Sequence, residues 1–252
     1  MAAASYWPGG NRHCQLPSDL GIELGTAYPH PMCNLYSLTR NVDAIRKLFA
    51  VPHNRAAAFD PLPAIFPGHS APVIRPSAAG EREMVTMSWG FVLPMPGKAP
   101  RRVTNVRDDK ARSASFWRDS FELRRCLVPA SSFAEPREVK PATWHWFALT
   151  GDHPRPLFAF AGVWRRWHGP IKKDGAAVDL DVFSFMTAPP NALVKTINHE
   201  RMPVLLTGAD QFETWTNGTP DEAFKLAREY PPDAMLIVQA GLDKRDIIAP
   251  VA

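Results

Sequence analysis

The chain has 252 residues, of which 45% are hydrophobic and 21% charged, a balance that is ordinary for a soluble globular protein of one domain. Its 26 prolines favour many short elements joined by ordered loops and argue against a helix bundle. The net charge of +4 permits a nucleic-acid partner without requiring one, because the excess is small and spread along the chain. No apolar run approaches the roughly 18 residues of a membrane-spanning helix, so we expect no membrane partner.

The cysteine spacing and the absence of common binding motifs exclude several kinds of metal and cofactor site. Cys14, Cys33 and Cys126 show no Cys-x-x-Cys spacing, which excludes a zinc site of that type and a disulfide framework. A reducing cytoplasm is therefore the expected compartment. The sequence has no Gly-rich phosphate loop, no His-x-x-x-His and no paired carboxylates at metal-ligand spacing, so we expect no cofactor and no metal.

Residues 1–31 are rich in Gly, Pro and small side chains and lack both the apolar periodicity of a folded element and the pattern of a signal peptide. We interpret them as a disordered extension or as sequence upstream of a true start at Met32. After Cys33, the apolar spacing predicts a helix over residues 41–50, capped by Thr39, and then a proline-rich loop over residues 60–67.

The rest of the chain is predicted as short strands and short helices in alternation. Strands are predicted over residues 71–75, 84–91, 125–129, 143–149, 157–164, 180–186, 204–206 and 234–239, and helices over 109–117, 191–197, 211–215 and 221–230. Many short strands with turns between them indicate an α+β domain. We expect a curved, mostly antiparallel sheet or open barrel with peripheral helices.

The pair Met32-Cys33 is informative if Cys33 becomes the first residue of the mature chain. A terminal cysteine carries two nucleophiles on adjacent carbons, an α-amine with a pKa of about 8 and a thiol with a pKa of about 8.5. Both can add to one aldehyde carbon and close a stable five-membered ring. An internal cysteine lacks the amine and cannot form this ring.

Three polar residues downstream are candidate partners. His199 stands between a predicted helix and a predicted strand, where it could give and take a proton, although a loop histidine bound to a backbone carbonyl is the more common case. Glu135 follows a strand-like run, so partial burial could raise its pKa toward general-acid use; a strand-end glutamate facing water is the alternative. Asn105 could orient an amine or a sugar hydroxyl, or could be a simple turn residue.

Other residues could contact a nucleic acid. Arg107 and Arg201 could hold phosphates, or could be surface charges. Trp89, at the end of an apolar strand, could present an aromatic platform, although a core tryptophan is more frequent. Basic doublets near aromatic residues, such as Arg165-Arg166, suit a groove that follows a DNA backbone and stacks its bases. Cys126 is expected to be a buried apolar residue.

The order of these segments is more specific than any one of them. The segments are Met32-Cys33, Trp89-Gly90, Thr104-Asn105-Val106-Arg107, Arg125-Cys126-Leu127-Val128-Pro129-Ala130, Phe133-x-Glu135, Phe160-Ala161-Gly162-Val163-Trp164 and His199-x-Arg201-Met202-Pro203. Together they resemble the SOS response-associated peptidase family, also called the abasic-site processing proteins. The resemblance implies a single domain over residues 32–245.

The resemblance also implies a function, a sensor of abasic sites in single-stranded DNA that forms a thiazolidine crosslink through its first cysteine. Carried over, Cys33 is the nucleophile, Asn105 positions the amine, and Glu135 and His199 move protons. Arg107, Arg201 and Trp89 are the implied DNA contacts. The chain departs from the family pattern at Leu35, where an arginine is usual, and at Ala134 and Pro136, which replace aromatic residues.

Two other functions remain open at this point. One is a cysteine peptidase that uses Cys33 or Cys126 with His199, on itself or on other proteins. The other is a non-catalytic binder of single-stranded DNA. The leading hypothesis includes associated lyase and autopeptidase activities, a monomeric protein, and a location in the cytoplasm of a bacterium, on the nucleoid when bound to DNA.

Overall fold

The structure is a computed structural model that describes residues 33–137, 139–151 and 155–247. The extension predicted over residues 1–31 lies outside the described residues. The helices are α1 (Val42–Leu48), α2 (Asp108–Ala111), α3 (Ser115–Leu123), α4 (Ala192–Lys195), α5 (Ala209–Asn217) and α6 (Pro220–Phe224). The strands are β1 (Tyr36–Leu38), β2 (His53–Asn54), β3 (Leu62–Ile65), β4 (Ser70–Pro76), β5 (Arg82–Trp89), β6 (Phe91–Leu93), β7 (Arg101–Val103), β8 (Asn105–Arg107), β9 (Arg125–Ala130), β10 (Ser132–Arg137), β11 (Thr143–Leu149), β12 (Phe158–Gly169), β13 (Val178–Ala188), β14 (Met202–Pro203), β15 (Leu205–Leu206) and β16 (Met235–Gly241).

The larger sheet closes into a five-stranded barrel. Strands β13, β12, β9, β4 and β5 follow one another through antiparallel pairings, and β5 then pairs with β13 in parallel. This closing contact places Ser88 beside Val182 and Trp89 beside Phe183. The α+β prediction with a mostly antiparallel, barrel-like sheet is confirmed, and the barrel is closed rather than open.

The second sheet has five antiparallel strands in the order β16-β11-β10-β1-β3. It packs on the barrel through Tyr36 of β1, which meets three barrel aromatics edge to face: Trp89, Phe160 and Phe185 at centroid distances of 5.0, 5.4 and 6.2 Å. Such edge-to-face contacts are a favoured geometry for aromatic pairs. The aromatic core therefore fixes β1, and with it Cys33, against the barrel.

Several predicted boundaries are wrong for identifiable reasons. Helix α1 is capped by Asn41, whose side chain accepts a hydrogen bond from Ala44 at 2.9 Å, and not by Thr39. The predicted strand 84–91 stops at Trp89 because Gly90 has a φ of +99°, which turns the chain into β6. The proline-rich loop 60–67 contains a strand, β3, at the edge of the second sheet, where proline is tolerated.

The helices are shorter and more broken than their patterns indicate. The predicted helix 109–117 is two helices, α2 and α3, and the predicted helix 221–230 ends at Phe224. By contrast, β11 has the limits predicted from its sequence. Within the described ranges no helix exceeds nine residues, so none is long and apolar enough to cross a bilayer.

Candidate functional site

Four residues that are distant in sequence meet where the second sheet rests on the barrel. Cys33 lies just before β1, Asn105 begins β8, Glu135 lies inside β10, and His199 lies between α4 and β14. All four are buried, with exposed fractions of 1%, 3%, 0% and 6%. Glu135 was predicted to follow a strand; it lies inside one instead, because β10 continues through it to Arg137, and its burial excludes the alternative of a glutamate facing water.

Asn105 is held beside the main chain of Cys33. Strand β8 pairs in parallel with β13, which sets Asn105 opposite Phe185. The side-chain amide donates to the carbonyl oxygen of Cys33 and to Oγ1 of Thr104, both at 2.8 Å. Its Oδ1 is buried and has no hydrogen-bond partner among the described residues. A buried acceptor without a donor is costly, so Oδ1 is placed to accept a hydrogen bond from a group beside Cys33.

Glu135 is a buried carboxyl group next to the thiol of Cys33 and the imidazole of His199. Burial raises the pKa of Glu135 to about 7, and the nearby His199 and Cys33 lower it by less than burial raises it. Neither carboxyl oxygen receives a well-aligned hydrogen bond from the described residues. At neutral pH this group is therefore close to half protonated, which suits it to accept and return a proton.

His199 has a defined proton on one ring nitrogen. Its Nδ1 lies 2.8 Å from the carbonyl oxygen of Arg201, and because a carbonyl can only accept, Nδ1 must carry the hydrogen. Its Nε2 lies 3.2 Å from Oε2 of Glu135. Asn198 precedes it with a φ of +61°, a conformation that Asn adopts more readily than most residues. This turn directs the imidazole toward Glu135.

The thiol of Cys33 is neutral in this environment. Burial, and then the negative charge of Glu135, raise the pKa of the thiol well above its ordinary value. A neutral thiol must lose its proton as it attacks, and the carboxyl group of Glu135, which interacts with the thiol and has a pKa of about 7, can accept it. The site therefore joins a nucleophile, a proton acceptor and an oriented imidazole.

The three predicted DNA contacts have different surroundings. The side chain of Arg107 is 35% exposed and makes a two-fold contact with Asp109, at 2.9 and 3.1 Å. Arg201 is 14% exposed, and its guanidinium donates to the carboxylate of Asp108 and to the carbonyl oxygen of Thr187. Arg201 is thus committed to internal partners, and its position does not favour a phosphate contact.

Trp89 is fully buried and cannot offer a surface to a base in this conformation. Its ring stacks on Phe185 at 5.3 Å, and its Nε1 donates to the carbonyl oxygen of Thr104 at 3.2 Å. The platform predicted for it is therefore corrected to a core position that supports Thr104 and Asn105. Cys126 is also buried, as predicted, and burial raises the pKa of its thiol.

Two supporting groups were missed by the sequence analysis. The hydroxyl of Thr104 accepts from the Asn105 amide, and the carbonyl of Arg201 fixes the tautomer of His199. Thr104 lies next to a chosen residue and could have been selected on that ground. A main-chain carbonyl leaves no signature in the sequence, so the second group could not have been found without the structure.

Comparison with known proteins shows to which family the chain is similar. The family model described as SOS response associated peptidase (SRAP) matches residues 32–241. The abasic site processing proteins YoqW and YobE of Bacillus subtilis strain 168 are 30% and 29% identical to the chain over 154 residues, which is 59% of the chain. The match covers 65% of YoqW and 67% of YobE, so the chain spans just under two thirds of YoqW.

Two solved structures share the fold. A protein from Bordetella bronchiseptica is 21% identical with a TM-score of 0.65, over 83% of this chain and 98% of that protein. A protein from Bacteroides thetaiotaomicron is 20% identical with the same TM-score of 0.65, over 82% and 90%. At this identity the two structures show the fold alone, whereas the family model covers most of the sequence. The chain therefore belongs to the SOS response associated peptidase (SRAP) family.

Proposed function

We propose that the protein captures abasic sites in single-stranded DNA by forming a covalent thiazolidine crosslink through Cys33, as the first residue of the active chain. The observation that carries the proposal is the buried meeting of Cys33 with Asn105, Glu135 and His199. The name abasic site processing protein, borne by the related YoqW and YobE, supports the same substrate. An abasic nucleotide in a single strand can enter such a site without the cost of unpairing.

The α-amine of Cys33 has a natural partner in this site. In a chain that begins at Cys33, the peptide bond to Met32 is absent and the nitrogen becomes an amine. Asn105 already holds the carbonyl of Cys33 through Nδ2, and its Oδ1 is the buried acceptor without a donor. We assign Oδ1 as the acceptor of one amine hydrogen, which would orient the nitrogen lone pair toward the sugar.

The first chemical step is opening of the sugar ring. The C1′–O4′ bond breaks, the proton of the C1′ hydroxyl leaves, and O4′ gains a proton, which yields the free aldehyde. His199 and Glu135 share a proton across 3.2 Å and can supply one and accept the other. The same pair is returned to its starting state by the exchange.

The amine then attacks C1′, and the aldehyde oxygen leaves as water to give an imine. The Cys33 sulfur adds to the imine carbon, a C–S bond forms, and the thiol proton passes through Glu135 to the ring nitrogen. The sum is one aldehyde plus one cysteine giving one thiazolidine and one water. No oxidant, metal or cofactor is required by this balance.

Access to the sulfur is the main structural requirement of the proposal. Cys33 is 1% exposed, so a deoxyribose can reach it only after a local rearrangement. The form that begins at Cys33 should therefore react, whereas the chain with residues 1–32 attached should not, because it lacks the amine.

The test compares these two forms on a single-stranded oligonucleotide with one abasic site. We expect a heat-stable crosslink on a denaturing gel only with the form that begins at Cys33, with an intact mass equal to protein plus DNA minus one water. Cys33→Ala and Cys33→Ser should both lose the stable adduct, while Cys126→Ser should keep it. A stable crosslink from a chain whose terminus is acetylated would overturn the proposal.

The same experiment separates the other functions. A cysteine peptidase would cleave peptide substrates without DNA, and a non-catalytic binder would retain salt-sensitive DNA binding in Cys33→Ala while giving no wild-type crosslink. Either result in place of the adduct would replace the crosslinking function.

A lyase activity is a second candidate, favoured by the basic form of Glu135 that a pKa of about 7 makes available at neutral pH. From the imine, removal of a C2′ proton by a base would expel the 3′ phosphate and cut the strand. We expect the cleaved product in small amount from the wild type and less from Glu135→Gln. A strand cut that persists in Cys33→Ala would assign the lyase to another residue.

Removal of the segment before Cys33 could also be carried out by this site. The Cys33 sulfur could attack the carbonyl of Met32, and the C–N bond between Met32 and Cys33 would then break as the Cys33 nitrogen takes up the thiol proton by way of Glu135. Water would hydrolyse the resulting thioester, which releases a carboxylate on Met32 and restores the Cys33 thiol. We expect the full chain, incubated alone, to yield a species that begins at Cys33, and Cys33→Ala to yield none. A product from the alanine variant would assign the cleavage to another protease or to a second start codon.

A further inference from the structure

The contact between His199 and Glu135 joins two separate parts of the fold. Glu135 lies on β10 of the second sheet, whereas His199 lies in the segment that leaves β13 of the larger sheet and returns to pair with it as β14. The 3.2 Å separation of the two side chains therefore depends on how this segment is held against the second sheet. Asn191, which directly precedes α4 in the segment, is buried at this junction.

Asn191 joins the start of the His199 segment to its end. Its Oδ1 accepts from the main-chain N–H of Val194 at 2.9 Å and so caps the first turn of α4. Its own main-chain N–H donates to Sδ of Met202 at 3.3 Å, on the strand where the segment ends. The segment that carries His199 is thus closed into a loop at one residue.

The side-chain amide of Asn191 also reaches the second sheet. Its Nδ2 donates to the carbonyl oxygen of Tyr230 at 2.7 Å and to Sδ of Met235, the first residue of β16, at 3.4 Å. Strand β16 pairs with β11, and β11 pairs with β10, which carries Glu135. One amide therefore connects the loop of His199 with the sheet of Glu135.

The need for a helix cap does not by itself account for these contacts of Asn191. A serine or an aspartate would cap α4 as well as an asparagine does, but neither offers the two donors of Nδ2. Burial of an amide is costly unless its groups are bonded, and here the main-chain N–H, Oδ1 and Nδ2 each have a partner. This set of bonds fixes one orientation of the loop relative to the second sheet.

We propose that Asn191 is a positioning residue that holds His199 in contact with Glu135. The inference rests on the proposed function, since that function assigns the proton transfers of crosslinking to this pair. The hydrogen bonds of Asn191 among the described residues do not include Cys33 or Glu135, so its effect on the chemistry passes through His199. Loss of these bonds would let the imidazole move while the nucleophile stays in place.

Movement of His199 would change the proton affinity of Glu135. The ionisable groups that face this carboxyl are Cys33, before β1, and His199, while Arg201 at the end of the loop is paired with Asp108. His199 lowers the pKa of Glu135, so an imidazole that moves away leaves this pKa above about 7. The carboxyl would then accept the thiol proton only at higher pH, and the rise of the crosslinking rate with pH should shift in the same direction.

The test uses Asn191→Ser and Met202→Leu in the form that begins at Cys33. The serine keeps a cap for α4 but loses both Nδ2 contacts, and the leucine removes the sulfur acceptor at similar apolar volume. In single-turnover assays on a single-stranded oligonucleotide with one abasic site, we expect the maximal crosslinking rate to fall by about tenfold or more. The rise of the rate should shift to higher pH, while the DNA concentration for half-maximal rate stays near that of the wild type.

A double-mutant cycle shows whether Asn191 acts through His199. In the His199→Ala background, Asn191→Ser should cause no further loss of rate, because the group that Asn191 positions is absent. Asn41→Ser is the matched control, since Asn41 is exposed and caps α1 by the same kind of bond, from the N–H of Ala44 at 2.9 Å. We expect this control to crosslink with the rate and the pH profile of the wild type.

The outcomes separate this inference from the proposed function. A wild type that forms no crosslink defeats the proposed function. With a crosslinking wild type, a folded Asn191→Ser that keeps the wild-type rate, or that loses rate without a shift in pH, defeats the positioning role alone. An equal loss of rate in the His199→Ala background does so too. Thermal unfolding shows which variants are folded, and if Asn191→Ser is not, Met202→Leu decides by the same criteria because it loosens the loop from its other end.

Discussion

His199 Nε2 lies 3.2 Å from Glu135 Oε2, while His199 Nδ1 is committed to the carbonyl oxygen of Arg201. Because Nδ1 already carries a hydrogen, a neutral imidazole would turn the lone pair of Nε2 toward the carboxyl group. The contact is favourable only when one more proton lies between the two, on the imidazole or on the carboxyl. The contact between the two side chains therefore requires one shared proton.

This shared proton predicts a pH-dependent stability that Glu135→Gln should change. The pKa of Glu135 rises in the folded protein from its ordinary value of 4.5 to about 7, so the folded state holds the proton more tightly. The resulting stabilisation is present below pH 4.5 and is lost as the pH rises through about 7. The neutral amide of Gln avoids this loss, so Glu135→Gln should be more stable than the wild type above pH 7, by at most about 3 kcal/mol.

Urea unfolding at pH 5.5 and pH 8 measures the difference between the two proteins. Glu122→Gln changes an exposed glutamate and should keep the pH profile of the wild type. If the free energy of unfolding of Glu135→Gln changed with pH in the same way as that of the wild type, burial would not raise the pKa of Glu135.

The crosslinking rate should also depend on pH through Glu135. As the pH falls below about 7, the carboxyl is protonated and can no longer accept the thiol proton, and the α-amine, with a pKa of about 8, is protonated as well. The wild-type rate should thus rise between pH 6 and pH 8. Glu135→Gln should be slower by about 100-fold or more, with only the rise due to the amine remaining. Single-turnover rates on gels measure both profiles, and an unchanged rate in Glu135→Gln would remove it from the chemistry.

Asn105 should act through both ends of its amide. Asn105→Ala loses the hydrogen bond to the Cys33 carbonyl and the acceptor for the amine, so we expect the crosslinking rate to fall by about tenfold or more and stability to fall by about 1–3 kcal/mol. Asn105→Asp keeps an acceptor but loses the donor and adds charge near Glu135. Asn217→Ala, at an exposed amide on α5 bonded to Glu213, should change neither property. If Asn105→Ala formed the crosslink as fast as the wild type, Asn105 would not orient the amine.

The sequence predicted the members of the site better than their surroundings. Glu135 and His199 could be selected because one follows a strand-like run and the other follows a predicted helix, whereas Asn105 acquired its role through the family resemblance. The structure places the three side chains around Cys33. Partial burial was predicted for Glu135 alone, whereas the full burial of all three side chains depends on the second sheet packing on the barrel. The closing contact between β5 and β13 is likewise a pairing between distant segments that no local pattern specifies.

The errors have a common physical origin. An arginine or a tryptophan can serve either a DNA contact or the protein interior, and the neighbouring residues in the fold decide which. Arg201 faces Asp108, which lies 93 residues away in the sequence, and Trp89 contacts three aromatic rings from two other strands, β1 and β13. The boundary errors at Gly90 and Asn41 could have been avoided by local rules. Glycine often ends a strand by adopting a positive φ, as Gly90 does, and asparagine is a preferred cap at the start of a helix, as Asn41 is.

Asp246 lies beyond the residues that match the family model, yet it joins β1 to β10 beside the site. Its side chain is fully buried, and Oδ2 accepts from the hydroxyls of Ser37 and Ser132, both at 2.7 Å. Oδ1 pairs with the guanidinium of Arg155. A carboxylate with three donors in a buried position is costly to remove, because each donor is left without its acceptor.

We therefore expect Asp246→Ala to lose about 3–5 kcal/mol of stability and Asp246→Asn to lose less, because the amide oxygen can still accept from the serines. Thermal or urea unfolding measures both. Asp243→Ala removes an exposed carboxylate that bonds only locally, to the Arg245 amide among the described contacts, and should shift stability by no more than about 0.5 kcal/mol. Since Ser37 lies in the strand that follows Cys33, folded Asp246→Asn should also crosslink more slowly than Asp243→Ala. Wild-type stability in Asp246→Ala would mean that the second sheet holds β1 in place without this carboxylate.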